Sequence, residues 1–273
     1  MKKLLTLLLT LVLTLGCVVG FTACGAGGVN IGGQSGTTGL MYAECLKGCN
    51  VSPYDTFALA AQDLKNGKVE YVIVDGATGE SLVKDIDGLK LIKEVPLSSE
   101  YYGIAVDKSQ ATLLADINGV LETKATEIND IIQKYLNGET EKYATYESPE
   151  IDLDNQAGQL VMATNAEFPP FEYLAGNKYT GIDVEIAMLI AQELNLELVI
   201  KDMLFDAVVT SVGNNGIDIG MSGLTITAER KKTVNFTSAY YVESQYVLTV
   251  ASNTKLDACM TIMDVLSVLT ANK

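Results

Sequence analysis

The chain has 273 residues, 48% of them hydrophobic, which is enough to bury a core and leaves room for two lobes of ordinary domain size. Its 34 acidic against 19 basic residues give a formal charge of −15, and setting aside Lys2 and Lys3 of the leader makes the rest more negative still, which argues against nucleic acid or anionic lipid as partners. The sequence contains no histidine, which excludes Ser-His and Cys-His catalysis and histidine-ligated metal sites.

Residues 1–23 read as a targeting segment: Lys2 and Lys3 form a positive start, residues 4–21 are an uncharged apolar run, and Phe21-Thr22-Ala23-Cys24 looks like a bacterial lipoprotein cleavage site. Cleavage there leaves a lipidated Cys24 and a flexible tether, residues 24–28. The run is also long enough for an uncleaved anchor, and Cys17 after Gly16 is a weaker second site. Either route exports the chain and fixes it to the membrane.

Residues 29–34 read as a strand, followed by Ser35-Gly36-Thr37-Thr38-Gly39 and a helix to about residue 47. Thr37 or Thr38 caps that helix, whose free first-turn amides suit an anion, although a plain cap needs no ligand. A helix over about 56–66 places Phe57, Ala60, Ala61 and Leu64 on one face, as core positions. Residues 69–74 form a strand with Asp75 at its carboxyl end, where ligands sit in α/β sheets; a helix over 77–84 follows, so Asp75 is either a ligand residue or that helix's cap. Residues 89–95 and 101–107 read as strands, the latter a return crossing between lobes. Residues 109–137 read as helical with a break near 122–126, and residues 138–158 form an acidic, proline-containing linker.

Beyond the linker come a strand (160–164), a polar loop (165–173), an amphipathic helix (182–194), a strand (197–201) and a helix (205–212). The strand 217–221 then breaks into small hydroxyl and glycine residues and a polar turn with Arg230, and returns as a strand over 234–236. The Ser222 and Thr225 hydroxyls, the loop amides and the Arg230 guanidinium can converge on one small carboxylate, because a guanidinium offers two parallel donors. Arg230 paired to a surface acid such as Glu229 is the alternative. A hinge over 243–250 and a helix over 260–269 follow.

Four stretches carry a family resemblance: GMSGLTITAERKKTVNF at 220–236 followed by Tyr240 and Tyr241, ATNAEFPPFEY at 163–173, GGQSGTTG at 32–39 and NGKVEYVIVDG at 66–76. Together they span nearly all of the chain after the leader. They are similar to the polar amino acid-binding proteins, the family 3 extracellular solute receptors that serve ABC importers. The resemblance implies an α/β chain of the type II periplasmic-binding-protein fold, two lobes joined by a two-strand hinge, that closes on a free amino acid and passes it to the permease subunits of an importer. It implies a monomer with no cofactor, no metal and no catalytic residue. In lobe one, Arg230, Thr225 and the Gly223 amide would hold the ligand α-carboxylate, with Ser222 in the same loop and Phe168 and Phe205 flanking the aliphatic part of the ligand, unless those two rings are ordinary core. In lobe two, Thr37 and Thr38 would add to the carboxylate grip and Asp75 would hold the α-ammonium. Asn165, Glu167, Gln34 and Glu172 lie where the ligand tail should be; a carboxylate there favours arginine or lysine, the amides favour glutamine.

The order of the elements is rotated relative to that family. Joining Lys273 to Val29 would restore the usual passage from a helix into the glycine-rich first strand of lobe two, and each element is present once, so the chain reads as a circular permutant. The expected parts are the tether 24–28, lobe two over 29–106, two lobe-one helices over 107–137, the permutation linker 138–158, the lobe-one core 159–242, and 243–273 as hinge strand and the remainder of lobe two. A fusion of two incomplete genes is the alternative. Export permits disulfides, and two outcomes stay open: Cys45 or Cys49 bridged to Cys259, or buried free thiols. Two further functions remain open on this fold: a dehydratase of prephenate or arogenate type, with Glu167 as the acid, and an extracellular amino acid-sensing module.

Overall fold

The computed structural model describes residues 28–152 and 156–271; the leader, Cys24, most of the tether and Lys273 lie outside the described residues. The strands in chain order are β1 (Val29–Gln34), β2 (Cys49–Tyr54), β3 (Tyr71–Asp75), β4 (Leu89–Ile92), β5 (Glu100–Tyr102), β6 (Ala105–Val106), β7 (Gln159–Thr164), β8 (Glu167–Phe168), β9 (Glu172–Ala175), β10 (Lys178–Thr180), β11 (Glu197–Asp202), β12 (Ile219–Gly220), β13 (Asn235–Phe236), β14 (Tyr241–Glu243) and β15 (Gln245–Val250).

Two five-stranded sheets share one plan. In lobe two the order is β2-β1-β3-β15-β4, and in lobe one it is β11-β7-β12-β6-β13. Each is parallel except for its fourth member: β15 runs antiparallel to β3 and β4, and β6 runs antiparallel to β12 and β13. Each antiparallel strand is delivered by a chain that has just crossed from the other lobe. The two crossings pair with one another as the β5–β14 ribbon, Tyr102 opposite Tyr241 and Glu100 opposite Glu243.

The sequence explains the interior strands. Tyr71-Val-Ile-Val-Asp75 is buried at every position, as a strand covered on both faces requires. Thr56 caps the helix Phe57–Lys65 by accepting from Leu59 N, and that helix buries Phe57, Ala60, Ala61 and Leu64, as the pattern predicts. The helices Ala111–Thr123 and Ala125–Leu136 break at Lys124 and pack Ile117, Ile128 and Ile132 into the core that also holds Ile186 and Ile190 of the helix Ile182–Glu193.

Several expectations change. β2 was not anticipated: CNVSPY is only half-buried and carries Pro53, features of an edge strand with no clean alternation. The helix after Thr38 stops at Glu44. The lobe boundary expected at 106 falls earlier, because β6 already belongs to the lobe-one sheet. The hinge is Tyr241–Glu243, whereas 245–250 is an interior strand of lobe two; both are extended apolar runs, so periodicity alone does not separate them. The linker is laced to lobe one: Tyr143 stacks on Tyr135 with ring centroids 3.9 Å apart, and Tyr146 pairs with Tyr179 and donates its hydroxyl to Leu198 O at 2.5 Å. The bridge to Cys259 is not formed; Cys259 is a buried thiol and Cys49 Sγ donates to Leu46 O at 3.0 Å.

Gly181 fixes the corner between β10 and the helix Ile182–Glu193. Its φ is +129°, and an added Cβ would lie 2.1 Å from the Phe171 carbonyl oxygen. Gly181→Ala is expected to lower unfolding free energy in a urea titration by about 1–3 kcal/mol from backbone strain, with the backbone clash adding to it.

Candidate functional site

A narrow cavity, with about 10 Å³ of free space, lies between the carboxyl ends of the two sheets, lined by Gln34, Thr37, Thr38, Asp75, Phe168, Phe205, Gly223, Thr225 and Arg230. These nine are among the twelve residues expected to bind ligand; Asn165, Ser222 and Glu167 are not part of the lining.

Arg230 opens the short helix Arg230–Thr233 and is buried. Its Nη1 donates to Thr225 O at 2.8 Å, its Nη2 crosses the cleft to Gly36 O at 3.0 Å, and the guanidinium carbon lies 5.5 Å from the centre of the Phe205 ring. Burial lowers its pKa to about 10, which leaves it charged at neutral pH. Glu229, the surface acid considered as its partner, pairs instead with Lys232 at 2.5 Å.

Asp75 faces it from lobe two. It occupies the position before the helix Gly76–Asp85 yet makes no side-chain cap; Glu243 takes that task, accepting from Ala77 N at 3.0 Å. The Asp75 carboxylate instead receives the Tyr102 hydroxyl at 2.5 Å and Gln245 Nε2 at 2.9 Å. Burial pushes its pKa up to about 7, against the lowering effect of the Tyr102 bond, and Glu100 and Glu243 add repulsion in the same direction.

Thr37 is the N-cap of the helix Thr38–Glu44, accepting from Leu40 N at 3.2 Å and donating to Gln34 O at 2.7 Å. Thr38 donates to Glu100 Oε2 at 2.9 Å. Gln34 reaches across the cleft, Nε2 to Asn165 Oδ1 at 2.8 Å, so Asn165 stands behind the lining and fixes Gln34. With the bond from Arg230 to Gly36, this contact ties the lobes together in a closed arrangement.

Four expected roles are revised. The Ser222 hydroxyl turns inward to Glu172 Oε1 at 2.5 Å, and the Gly223 amide donates to Asp183 Oδ2 at 2.8 Å, so neither donor faces the cavity. Glu172 is fully buried inside lobe one and is not part of the cavity lining. Glu167 is exposed on β8. Gly223 still shapes the wall: with φ at +53°, an added Cβ would sit 2.6 Å from Phe168 Cε1. Phe168 itself packs against Phe57, with ring centroids 5.8 Å apart, so it is both lining and core.

Sequence reasoning missed Tyr102, Gln245 and Glu100, which hold Asp75 and Thr38 in place. They sit in or beside the hinge strands, where apolar neighbours hide single polar positions.

Residues 160–265 match the bacterial extracellular solute-binding proteins, family 3. It is 37% identical over 90 residues to the arginine-binding extracellular protein ArtP of Bacillus subtilis, covering 33% of this chain and 35% of that one. It is 36% identical over 88 residues to a probable histidine-binding protein of Neisseria gonorrhoeae, covering 32% and 33%. A solved structure, the arginine-bound form of domain 1 from TmArgBP, is 34% identical over 44% of this chain and 98% of that one, with a TM-score of 0.30. The chain thus spans about a third of the length of the curated relatives it matches. The mixed α/β, two-sheet architecture is the type II periplasmic-binding-protein class expected of the family.

The raised pKa of Asp75 makes the ligand-free protein sensitive to pH. The folded state holds this proton more tightly than the unfolded state, so the stability it brings is complete at acid pH and is lost as pH rises from about 4 through about 7. Asp75→Asn removes that loss. In urea unfolding without amino acid, the variant should match the parent in acid and exceed it above neutrality, by on the order of 1–4 kcal/mol.

Proposed function

We propose that the protein is an extracytoplasmic receptor that captures a polar amino acid between its lobes and delivers it to the permease subunits of an ABC importer. One observation carries this reading: Asp75 of lobe two and Arg230 of lobe one are both buried, line one cavity, and among the described residues neither is joined to a side chain by an ion pair. A buried charge without a counter-ion is costly. An amino acid zwitterion supplies both missing partners, its carboxylate to Arg230 and its ammonium to Asp75.

In this mechanism the ligand docks first on lobe one, its carboxylate against Arg230 and the Thr225 hydroxyl, its aliphatic portion against Phe168 and Phe205. Closure about the β5–β14 ribbon then adds Asp75 and the Thr37–Thr38 turn. Among the ligand classes expected, arginine is favoured by the names of the relatives: the Bacillus subtilis protein is called arginine-binding. An enzymatic reading is not favoured, because Glu167, its one candidate acid, is exposed and outside the cavity.

The permuted order belongs to the same proposal. Supporting it, all strands of the lobe-one sheet except β6 come only after residue 158, and Val29 of the first strand packs in one cluster with Val265 and Leu269 of the last helix. A lipid on Cys24 would then tether lobe two.

A thermal-shift screen over the free amino acids should give its largest rise with L-arginine, and no rise with any amino acid would refute the reading. By calorimetry, Arg230→Ala and Asp75→Asn should each weaken binding by roughly 2–5 kcal/mol, because each strands a ligand charge in the closed cleft. The ammonium also displaces the proton from Asp75, so binding below neutrality should release up to about one proton and affinity should climb with pH to a plateau above about 7.

A further inference from the structure

Lobe one contains a second buried acidic group that ligand capture leaves unused. Glu172, at the start of β9, and Asp183, in the first turn of the helix Ile182–Glu193, are both fully buried. Three of their four carboxyl oxygens take donors from segments that build the cavity and hinge. Ser222 Oγ donates to Glu172 Oε1 at 2.5 Å, Gly223 N to Asp183 Oδ2 at 2.8 Å, and the Tyr240 hydroxyl to Asp183 Oδ1 at 2.8 Å. The fourth, Glu172 Oε2, is buried with no donor in reach, yet the two carboxyl side chains stand within hydrogen-bonding reach of each other. That contact becomes a hydrogen bond only when one carboxyl carries a proton. The other ionisable groups facing the pair are Asp202 on β11 and the hydroxyl of Tyr240, and neither supplies positive charge.

We infer that Glu172 and Asp183 share one proton, carried on Glu172 Oε2 and donated to Asp183, and that this pair is a positioning device for the loop that grips the ligand carboxylate. Its consequence for affinity rests on the proposed function; its existence does not. With one proton every carboxyl oxygen is satisfied and a single negative charge remains, held by Gly223 N and the Tyr240 hydroxyl. Burial, with repulsion from the neighbouring acid, raises Glu172 well above the usual carboxylate range, and burial raises Asp183 to about 6. Removing the proton sets two anions side by side in an apolar lobe. Ser222 is tied to one member and Gly223 to the other, so separation of the pair pulls apart adjacent residues of one loop. Gly223 cannot adapt freely, because it already lies in the left-handed region with the Phe168 ring against it. Thr225 and Arg230, next along the chain, then lose their register on the ligand. The device therefore sets an alkaline limit on binding, opposite in sense to the acid limit that Asp75 sets.

The test is infrared spectroscopy of the full-length, ligand-free chain at neutral pH, paired with calorimetry using L-arginine. A protonated-carboxyl band is expected that vanishes in alkali, loses intensity in Glu172→Gln and survives in Asp75→Asn. Glu172→Gln, which keeps a donor at that place, should bind within about threefold of the parent at neutral pH and lose the alkaline decline. Glu172→Ala, which lacks the donor, should bind roughly tenfold or more weakly. An unchanged band in Glu172→Gln overturns the shared proton, whatever the protein binds. A lost band with parental affinity across the pH range in both variants overturns the positioning role. If no amino acid binds, the receptor reading fails while the infrared result still decides the proton.

Discussion

The structure depends on holding two unlike charges, Asp75 and Arg230, buried on opposite walls of one cleft without letting them neutralise each other. Arg230 is occupied by the carbonyls of Thr225 and Gly36, and Asp75 by Tyr102 and Gln245. Neutral dipoles of this kind keep an ion soluble in the protein without cancelling its charge, so each remains strongly attracted to an incoming counter-ion. A direct ion pair would close the lobes just as well and leave nothing for a ligand to do. The raised pKa of Asp75 and the lowered pKa of Arg230 are the electrostatic signature of that unfilled demand.

The hinge is the part of the fold that makes such an arrangement coherent. Tyr102 joins the two halves: its backbone bridges Thr225 in the lobe-one loop, and its hydroxyl reaches Asp75 in lobe two. Glu100 and Glu243, opposite each other on the β5–β14 ribbon, serve Thr38 and the start of the helix Gly76–Asp85. Rotation about the ribbon would therefore move the supports of the cavity-lining residues of lobe two together with the wall they support. Lobe one has its own brace, the Glu172–Asp183 pair beneath Ser222 and Gly223.

Much of this was legible in the sequence, for physical reasons that can be named. Buried parallel strands such as Tyr71–Asp75 and capped helices such as Phe57–Lys65 declare themselves through continuous apolar runs and Ser/Thr caps. Motif residues, above all Asp75 at a strand end and Arg230 in the polar turn, could be assigned to one cleft because the resemblance supplied the pairing. What stayed hidden is what depends on direction within a loop. Nothing in GMSGL says that the Ser222 hydroxyl and Gly223 amide turn inward to Glu172 and Asp183, or that Glu167 turns outward on a two-residue strand. Edge and hinge strands were equally obscure, since β2 has no alternation and β14 differs from β15 only in which strand it meets.

The central claim is that a zwitterion is held at both ionic ends from opposite lobes. Titration calorimetry comparing L-arginine with its decarboxylated analogue and with its α-deaminated acid tests this most directly. Both analogues should bind weaker than L-arginine by roughly 2–5 kcal/mol, one for want of a partner to Arg230 and the other for want of a partner to Asp75. An analogue that binds as tightly as the parent amino acid would contradict the account, because one of the two buried charges would then have no part in capture.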